Sequence, residues 1–291
     1  MREALLMALA VLTVGAGTVA VAPVAALNAL SRLHPIVAVP DQSYAEGDRH
    51  GVDVYRPETG TGLPVVVFFY GGGWEEGDRA LYRFVGAALA GQGIVTFIPD
   101  YRVYPQVRFP DFLDDGARAV RWARDHAREF GGDPSRLVIA GHSAGAHIAA
   151  MLAFDPQWLA KAGLDSRRDL AGMAGLAGPY DFLPLHSQTL MDIFGPEAER
   201  PLSQPINFVT EGEVPVFLAT ATADSSVDPA NTTRFAARIR AAGGSAETRY
   251  YENLSHRTII GAVAPPLRWL APVLDDVAGF VYRVTGREGL S

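Results

Sequence analysis

A serine stands between two glycines in the pentapeptide Gly141-His142-Ser143-Ala144-Gly145. An apolar run, residues 137–140, precedes it, and a small-residue helical pattern, residues 146–152, follows it. A strand, a sharp turn and a helix with a serine at the turn form a nucleophile elbow, which holds a hydroxyl above a sheet. The flanking glycines let the strained turn form without backbone clashes. The pattern therefore predicts Ser143 as the nucleophile of a covalent reaction.

A serine hydroxyl needs a base within hydrogen-bond reach, and the base needs an acid that orients it. His256 is the predicted base, because it follows the last predicted strand after a short loop. Asp224 is the predicted acid, because it lies in the loop after the strand predicted at residues 214–221. Asp228 is its alternative, but a proline follows it, which is typical of a helix cap. The order Ser143, Asp224, His256 predicts a catalytic triad.

Attack on a carbonyl group places negative charge on the carbonyl oxygen, and backbone N–H groups must stabilise that charge. Ala144, directly after the serine, is one predicted donor. Gly72 and Gly73 are the others, because they follow a predicted strand, residues 64–70, and glycines allow the backbone to approach a substrate closely. These three residues form the predicted oxyanion hole.

Two residues beside these motifs are predicted to contribute to substrate binding. Trp74 follows the glycines and is expected to shape the acyl pocket, with core packing as the alternative. His142 precedes the serine, and its side chain is expected to point away from the nucleophile. Residues 100–102, Asp-Tyr-Arg, offer an acid and a base after another strand, but a structural ion pair or loop support is the favoured interpretation.

From about residue 43 to residue 285, segments with a strand-like pattern alternate with segments with a helix-like pattern. These elements must position the groups named above. The alternation predicts one α/β domain, with a mostly parallel central sheet flanked by helices. Residues 51–55 alternate like an edge strand, whereas residues 64–70 form an apolar run typical of a buried central strand. Residues 154–213 interrupt the alternation of strand and helix patterns, which predicts a cap-like insertion over the active site. Further strands are predicted at residues 94–98, 137–140, 214–221 and 247–251, and helices at residues 80–92, 111–130, 229–242 and 272–285.

Composition excludes several classes of function. The net charge of −7 over 291 residues argues against a nucleic-acid partner, which would need clustered Lys and Arg. There is no cysteine, so no disulfide and no thiolate metal site can form. The seven histidines show no ligand spacing, and therefore no metal site is predicted.

The N-terminal segment, residues 1–31, differs from the rest of the chain. After Met1-Arg2-Glu3, the chain carries no charge from Ala4 to Ser31 and consists mostly of Ala, Val and Leu. Such a run predicts a cleaved export signal, with small residues at 24–26 for the peptidase, or a membrane anchor. A helix packed on the domain is the alternative. The expected location is extracytoplasmic or membrane-anchored, and the oligomeric state stays open.

Four motifs occur together in order: residues 70–74 (Tyr-Gly-Gly-Gly-Trp), 100–102 (Asp-Tyr-Arg), 130–134 (Phe-Gly-Gly-Asp-Pro) and 141–145. With them, residues 43–285 resemble the α/β-hydrolase carboxylesterases of the feruloyl-esterase-like (BD-FAE) type. These are similar to hormone-sensitive-lipase-like esterases, kynurenine formamidases and prenylcysteine methylesterases. The family commonly has His where this chain has Tyr70, and His-Gly where this chain has Thr220-Ala221.

The triad and the resemblance imply a serine hydrolase that cleaves small-molecule carboxylic esters through an acyl-enzyme and needs no cofactor. Cleavage of an amide, as in arylformamidases, or of a peptide would use the same groups and is the alternative. A non-catalytic binding module on the same fold is the competing class. The acyl group and the alcohol are left undetermined by the sequence.

Overall fold

The computed structural model describes residues 21–33 and 35–286. Most of the predicted signal or anchor therefore lies outside the described residues. Within them, eight strands form one sheet in the order β1-β2-β4-β3-β5-β6-β7-β8. The strands are β1 Ile36–Ser43, β2 Gly51–Pro57, β3 Leu63–Phe69, β4 Val95–Pro99, β5 Gly132–His142, β6 Gly172–Leu176, β7 Val216–Ala221 and β8 Ala246–Tyr251.

Helices flank this sheet. The α-helices are α1 Val21–Ser31, α2 Arg83–Gly91, α3 Asp111–His126, α4 Ala144–Phe154, α5 Pro156–Lys161, α6 Ser166–Asp169, α7 Gln188–Phe194, α8 Ala230–Ala241, α9 His256–Gly261 and α10 Val273–Thr285. Short 3-10 helices cover Arg79–Tyr82, Ala127–Phe130, Arg200–Ser203, Pro205–Phe208 and Pro265–Leu270. The predicted fold class, a mostly parallel sheet with flanking helices, is confirmed.

The core of the sheet follows from its hydrophobic runs. Every residue of β3 is buried, and so is every residue of α4, which packs on β5 and β6. β3 pairs in parallel with β4 and β5, as expected of an apolar strand covered on both faces. β1 pairs with β2, and β2 with β4, in antiparallel orientation.

The edge of the sheet differs from the prediction for residues 51–55. These residues belong to β2, which is paired on both sides, and the edge strand is β1. The strand β1 contains Pro40 and is only half buried, so the hydrophobic pattern of its sequence is weak. A proline is tolerated there because an edge strand need not donate every backbone N–H.

The predicted insertion at residues 154–213 is too wide. Residues 172–176 form β6, which lies between β5 and β7 and is wholly buried, and α5 and α6 precede it. β6 reads Gly-Met-Ala-Gly-Leu and lacks the β-branched residues that mark strands, which hid it in the sequence. A Cβ on Gly175 would lie 2.0 Å from the hydroxyl oxygen of Tyr180, so that position needs glycine. The long connection of the predicted insertion is therefore the segment between β6 and β7, residues 177–215.

The N-terminal helix α1 docks on the domain through Asn28, and its Val24 and Leu27 pack against the hydrophobic core. Asn28 donates through Nδ2 to the carbonyl oxygen of Ala80 (2.9 Å) and accepts through Oδ1 from the amide of Phe84 (3.0 Å). Over residues 21–33 and 35–286, no helix has the length and hydrophobicity to cross a bilayer.

The carboxyl ends of β3, β5 and β7 meet at one edge of the sheet, since these strands run parallel. The end of β8 joins them beside β7. Loops that follow parallel strands converge at such an edge, which is where α/β proteins place their sites. The predicted nucleophile, acid, base and glycine motif all follow these four strands.

Candidate active site

Ser143 occupies the sharp turn between β5 and α4. Its backbone has φ 56° and ψ −125°, a strained conformation for a residue with a side chain. A Cβ on Gly141 would lie 2.3 Å from the Gly145 carbonyl oxygen, and a Cβ on Gly145 would lie 2.0 Å from that of Phe69. Both glycines are therefore required by close backbone packing. The Ser143 amide donates to Leu176 (2.9 Å), and its side chain is partly exposed.

His256 is the first residue of α9, directly after the loop that follows β8. Ser255 caps this helix, because its Oγ accepts from the amide of Thr258 (3.3 Å) while Thr258 Oγ1 accepts from the Ser255 amide (2.7 Å). This reciprocal cap fixes the start of the helix. The Nε2 atom of His256 lies 2.8 Å from Ser143 Oγ.

Asp224 lies in the loop after β7 and completes the hydrogen-bonded chain that starts at Ser143. Its Oδ2 lies 2.8 Å from His256 Nδ1, and its Oδ1 accepts from the amides of Ser226 and Val227, both at 2.9 Å. Burial alone would raise the pKa of Asp224, but the hydrogen bonds from His256 and the two amides lower it below the usual range. An ionised Asp224 can only accept, so His256 carries its proton on Nδ1 and Nε2 is free to receive one from serine.

Asp228, the alternative acid, lies elsewhere. Its Oδ1 accepts from the Ala230 amide at 2.9 Å, at the start of α8, and its side chain is exposed. The sequence suggested Asp228 as the cap and Pro229 as the first helical residue, but the cap is Pro229, and Asp228 precedes it and accepts from the first residue of α8. The structure thus brings Asp224, and not Asp228, to His256.

The loop after β3, residues 70–77 and hereafter the glycine loop, passes beside the nucleophile. A Cβ on Gly71 would lie 3.0 Å from Ser143 Cβ. Gly72 has φ 146° and Gly73 has φ 60°, conformations that side chains rarely adopt. Ala144 is the first residue of α4, where backbone amides have no acceptor within the helix. The three predicted donors therefore lie on the two backbone segments that meet around Ser143.

Trp74 is buried within an aromatic cluster. Its ring stacks on Phe182 (5.8 Å between centroids) and meets Phe194 (4.8 Å) and His147 (5.1 Å) edge-on. Only 5% of Trp74 is exposed. Phe182 and Phe194 belong to the segment after β6, so Trp74 joins the glycine loop to that segment. Its predicted contact with substrate stays a prediction.

His142 lies against the base. Its Nε2 donates to the carbonyl oxygen of His256 at 2.9 Å, and the two rings are 4.9 Å apart between centroids. Burial, together with His256, lowers the pKa of His142 to about 3, so the ring is neutral. Sequence reasoning placed His142 near substrate and missed this support of the His256 main chain. No sequence signal reveals it, because the two residues are 114 positions apart.

Residues 100–102 do not form an ion pair with each other. Arg102 pairs with Asp115 through two hydrogen bonds of 2.7 and 2.8 Å, whereas Asp100 pairs with Arg79. Tyr101 donates to the carbonyl oxygen of Tyr70 at 2.8 Å. Asp100 and Tyr101 thus contact the start of the glycine loop, as loop support predicts.

No group of three or more His, Asp or Glu side chains among residues 21–33 and 35–286 is arranged to hold a metal ion. The arrangement around Ser143 consists of a hydroxyl, an imidazole, a carboxylate and backbone amides. These groups can carry out acyl transfer, in which a hydroxyl attacks a carbonyl carbon and an imidazole moves the proton.

Comparison with known proteins places this arrangement in context. The family model BD-FAE matches residues 52–239. The isoprenylcysteine alpha-carbonyl methylesterase ICME of Arabidopsis thaliana is 28% identical over 271 residues, which cover 85% of this chain and 62% of that protein. The chain spans between 49% and 62% of the length of the four relatives of this kind.

Two solved structures share the fold. Esterase 2 of Thermogutta terrifontis with bound propionate has a TM-score of 0.73 and 25% identity, and the match covers 87% of this chain and 97% of that one. A truncated carbohydrate esterase from gut microbiota has a TM-score of 0.76 at 19% identity, with 86% and 97% covered, and bears on the fold alone. Both matches extend over nearly the whole of those chains.

Proposed function

The chain belongs to the BD-FAE family of α/β-hydrolases, and from that premise we propose that it is a serine carboxylesterase. One observation supports the proposal most strongly. Ser143, His256 and Asp224 form an unbroken hydrogen-bonded chain, with both links at 2.8 Å, at a nucleophile elbow beside a glycine loop. This is the constellation that acyl transfer by serine requires.

The proposed reaction has two halves. Ser143 Oγ attacks the ester carbonyl carbon while its proton moves to His256 Nε2. The tetrahedral intermediate expels the alcohol, which takes that proton and leaves the acyl group on the serine. Water then attacks the acyl-enzyme, gives its proton to His256, and the serine leaves with that proton as the carboxylic acid departs. Asp224 keeps His256 in the productive tautomer throughout.

The negative charge of each tetrahedral intermediate would be stabilised by the amides of Gly72, Gly73 and Ala144. Ala144 adds the positive end of α4, since the peptide dipoles of a helix point that way. Removing one such donor from a serine hydrolase costs about 10²- to 10³-fold in kcat. We therefore assign most of the rate enhancement beyond the triad to the glycine loop and the start of α4.

Esters are favoured over amides because the relatives named above are an esterase and a methylesterase. Amide hydrolysis would use the same groups, so a panel that includes N-formyl amides separates the two. We further propose that residues 177–215 shape the acyl site. Phe182 and Phe194 of that segment contact Trp74, which follows the oxyanion glycines directly.

We also propose that residues 1–31 direct the protein out of the cytoplasm, as a cleaved signal or as an anchor. The uncharged run from Ala4 to Ser31 supports this. N-terminal sequencing of the exported protein decides between the two forms. Cleavage near Ala26 would exclude the permanent anchor, and an intact N-terminus would exclude the cleaved signal.

Hydrolysis of a short-chain p-nitrophenyl ester tests the proposed activity. The wild-type protein is expected to turn over this ester, and Ser143→Ala to lose about 10⁶-fold in kcat, as when the nucleophile of a triad is removed. Ser135→Ala is the matched control, since Ser135 is exposed near the start of β5 and its hydroxyl donates to Asp133 Oδ1. Absence of wild-type turnover, or turnover that survives Ser143→Ala, would refute the proposal.

A further inference from the structure

One arginine contacts both ends of the glycine loop. Arg49 Nη2 donates to the hydroxyl oxygen of Tyr70, where the loop begins, and to the carbonyl oxygen of Gly77, where it ends, each at 2.9 Å. Its Nε donates to the carbonyl oxygen of Tyr101, also at 2.9 Å. Tyr101 in turn donates to the carbonyl oxygen of Tyr70. A single guanidinium group therefore joins the two ends of the loop that carries Gly72 and Gly73.

Tyr70 links Arg49 to a carboxylate. Its hydroxyl accepts from Arg49 and donates to Asp100 Oδ1 at 2.8 Å. The side chain is fully buried, and burial with the nearby Tyr101 and Asp100 raises its pKa well above the usual range. The phenol therefore stays neutral, with one proton to donate to Asp100 and a lone pair for Arg49.

Arg49 itself is held in place. It lies in the turn between β1 and β2 with φ 61°, a conformation that a residue with a side chain keeps only where its surroundings impose it. Tyr44 fixes the turn, because its amide donates to the carbonyl oxygen of His50 (3.0 Å) and its hydroxyl donates to that of Asp100 (2.7 Å). The guanidinium group is thus presented to the loop from a fixed turn.

We propose that Arg49 is a positioning residue of the oxyanion hole, which sets the path of residues 70–77 so that Gly72 and Gly73 face the reacting carbonyl oxygen. This inference rests on the proposed esterase function. Oxyanion donors must lie within about 0.5 Å of their working positions. Flexible glycines do not hold such a position alone, so the side chain that joins the loop ends does it for them.

The test compares Arg49→Met with Arg240→Met. Arg240 also donates to a carbonyl oxygen, that of Ala246 at 2.6 Å, but at the amino end of β8, away from the site. Arg49→Met is expected to lower kcat about 10- to 100-fold with KM within about twofold, since the donors are displaced and not removed. The inhibition constant of a trifluoromethyl ketone, whose adduct with serine bears the oxyanion, is expected to rise by the same factor. Arg240→Met should change neither.

Tyr70→Phe is the second variant, because it removes only the hydroxyl through which Arg49 acts on the start of the loop. It is expected to lower kcat by a smaller factor, and the double variant should lose less than the product of the two single losses. A loss that appears in KM alone, or an inhibition constant that does not rise, would overturn the positioning role.

Amide hydrogen exchange of residues 71–77 separates this inference from the proposed function. Exchange in the glycine loop should speed up in Arg49→Met and stay as in the wild type in Arg240→Met. A wild-type protein that hydrolyses no ester would refute the esterase. Unchanged exchange in Arg49→Met would refute the positioning by Arg49, whether or not the protein is active.

Discussion

The two halves of the proposed active site are held in different ways. On the triad side, Asp224 and His256 are held mostly by neighbours in the sequence: Asp224 by the amides two and three residues later, and His256 by the cap at Ser255, to which His142 adds one long-range contact. On the glycine-loop side, the contacts come from far along the chain. Arg49 is 21 positions from Tyr70 and 28 from Gly77. Local turns therefore place most of the triad side together with Ala144, while long-range polar contacts hold the loop that carries Gly72 and Gly73.

Of the changes that test this comparison, replacing the acid on the triad side is expected to give the largest effect. Asp224→Asn should lower kcat about 10⁴-fold, because an amide at this position favours the wrong tautomer of His256. Asp228→Asn is the matched control and should leave kcat unchanged, since Asp228 contacts the start of α8. Steady-state kinetics on a p-nitrophenyl ester measures both. A large loss in Asp228→Asn with little in Asp224→Asn would reverse the assignment.

A change in the glycine loop is expected to be the next largest. Gly72→Ala would bring a Cβ to 2.0 Å from the Glu76 carbonyl oxygen at a φ of 146°, so the loop must move. We expect kcat to fall about 10²- to 10³-fold, the effect of losing one oxyanion donor. Gly62→Ala is the control: Gly62 also has positive φ, 63°, but nothing lies within 4 Å of its Cβ position. An equal kcat for Gly72→Ala and the wild type would mean that Gly72 is not part of the oxyanion hole.

The smallest expected effect is on the pH dependence of stability. It concerns His142 and His147, the two buried histidines on either side of Ser143. Burial lowers the pKa of His147 to about 4 from 6.5. Between these values the unfolded chain binds more protons than the folded one, so the free energy of unfolding falls as the pH falls. One such group contributes about 1.4 kcal/mol per pH unit at most. His142, on the triad side, acts in the same direction.

His147→Gln tests this contribution, because glutamine can still donate to the carbonyl oxygen of Ser203 but does not titrate in this range. Urea unfolding at a series of pH values should show a shallower slope in the variant between pH 4 and 6.5, and parallel curves above that range. Identical slopes in the variant and the wild type would mean that His147 takes up its proton at the same pH in the folded protein as in the unfolded chain.

The triad side was largely predictable from the sequence. The Gly141–Gly145 pentapeptide, a strand before Asp224 and a strand before His256 carry strong local patterns, and parallel strands bring their following loops together. The same reasoning located β3 and the glycines after it. The weaker element β6 was missed because its glycines and alanine carry no strand preference, although tertiary packing makes it central.

The glycine-loop side was predictable only as a motif. The sequence identified residues 70–74, but not what holds them, because hydrogen bonds between Arg49, Tyr70, Asp100 and Gly77 join separate strands and turns. Asp100-Tyr101-Arg102 was correctly interpreted as support, but its acid and base pair with other residues. Side-chain pairings of this kind depend on the register of β1, β2 and β4, which propensity and periodicity do not specify.

Covalent labelling is the most direct test of the proposal that Ser143 is an activated nucleophile. The purified protein is treated with a fluorophosphonate, and the site of attachment is found by mass spectrometry of its peptides. We expect one label per chain, on Ser143, and none on Ser143→Ala, with labelling slowed strongly by Asp224→Asn. A wild-type protein that takes no label, or takes it on a residue other than Ser143, would show that Ser143 is not the activated nucleophile.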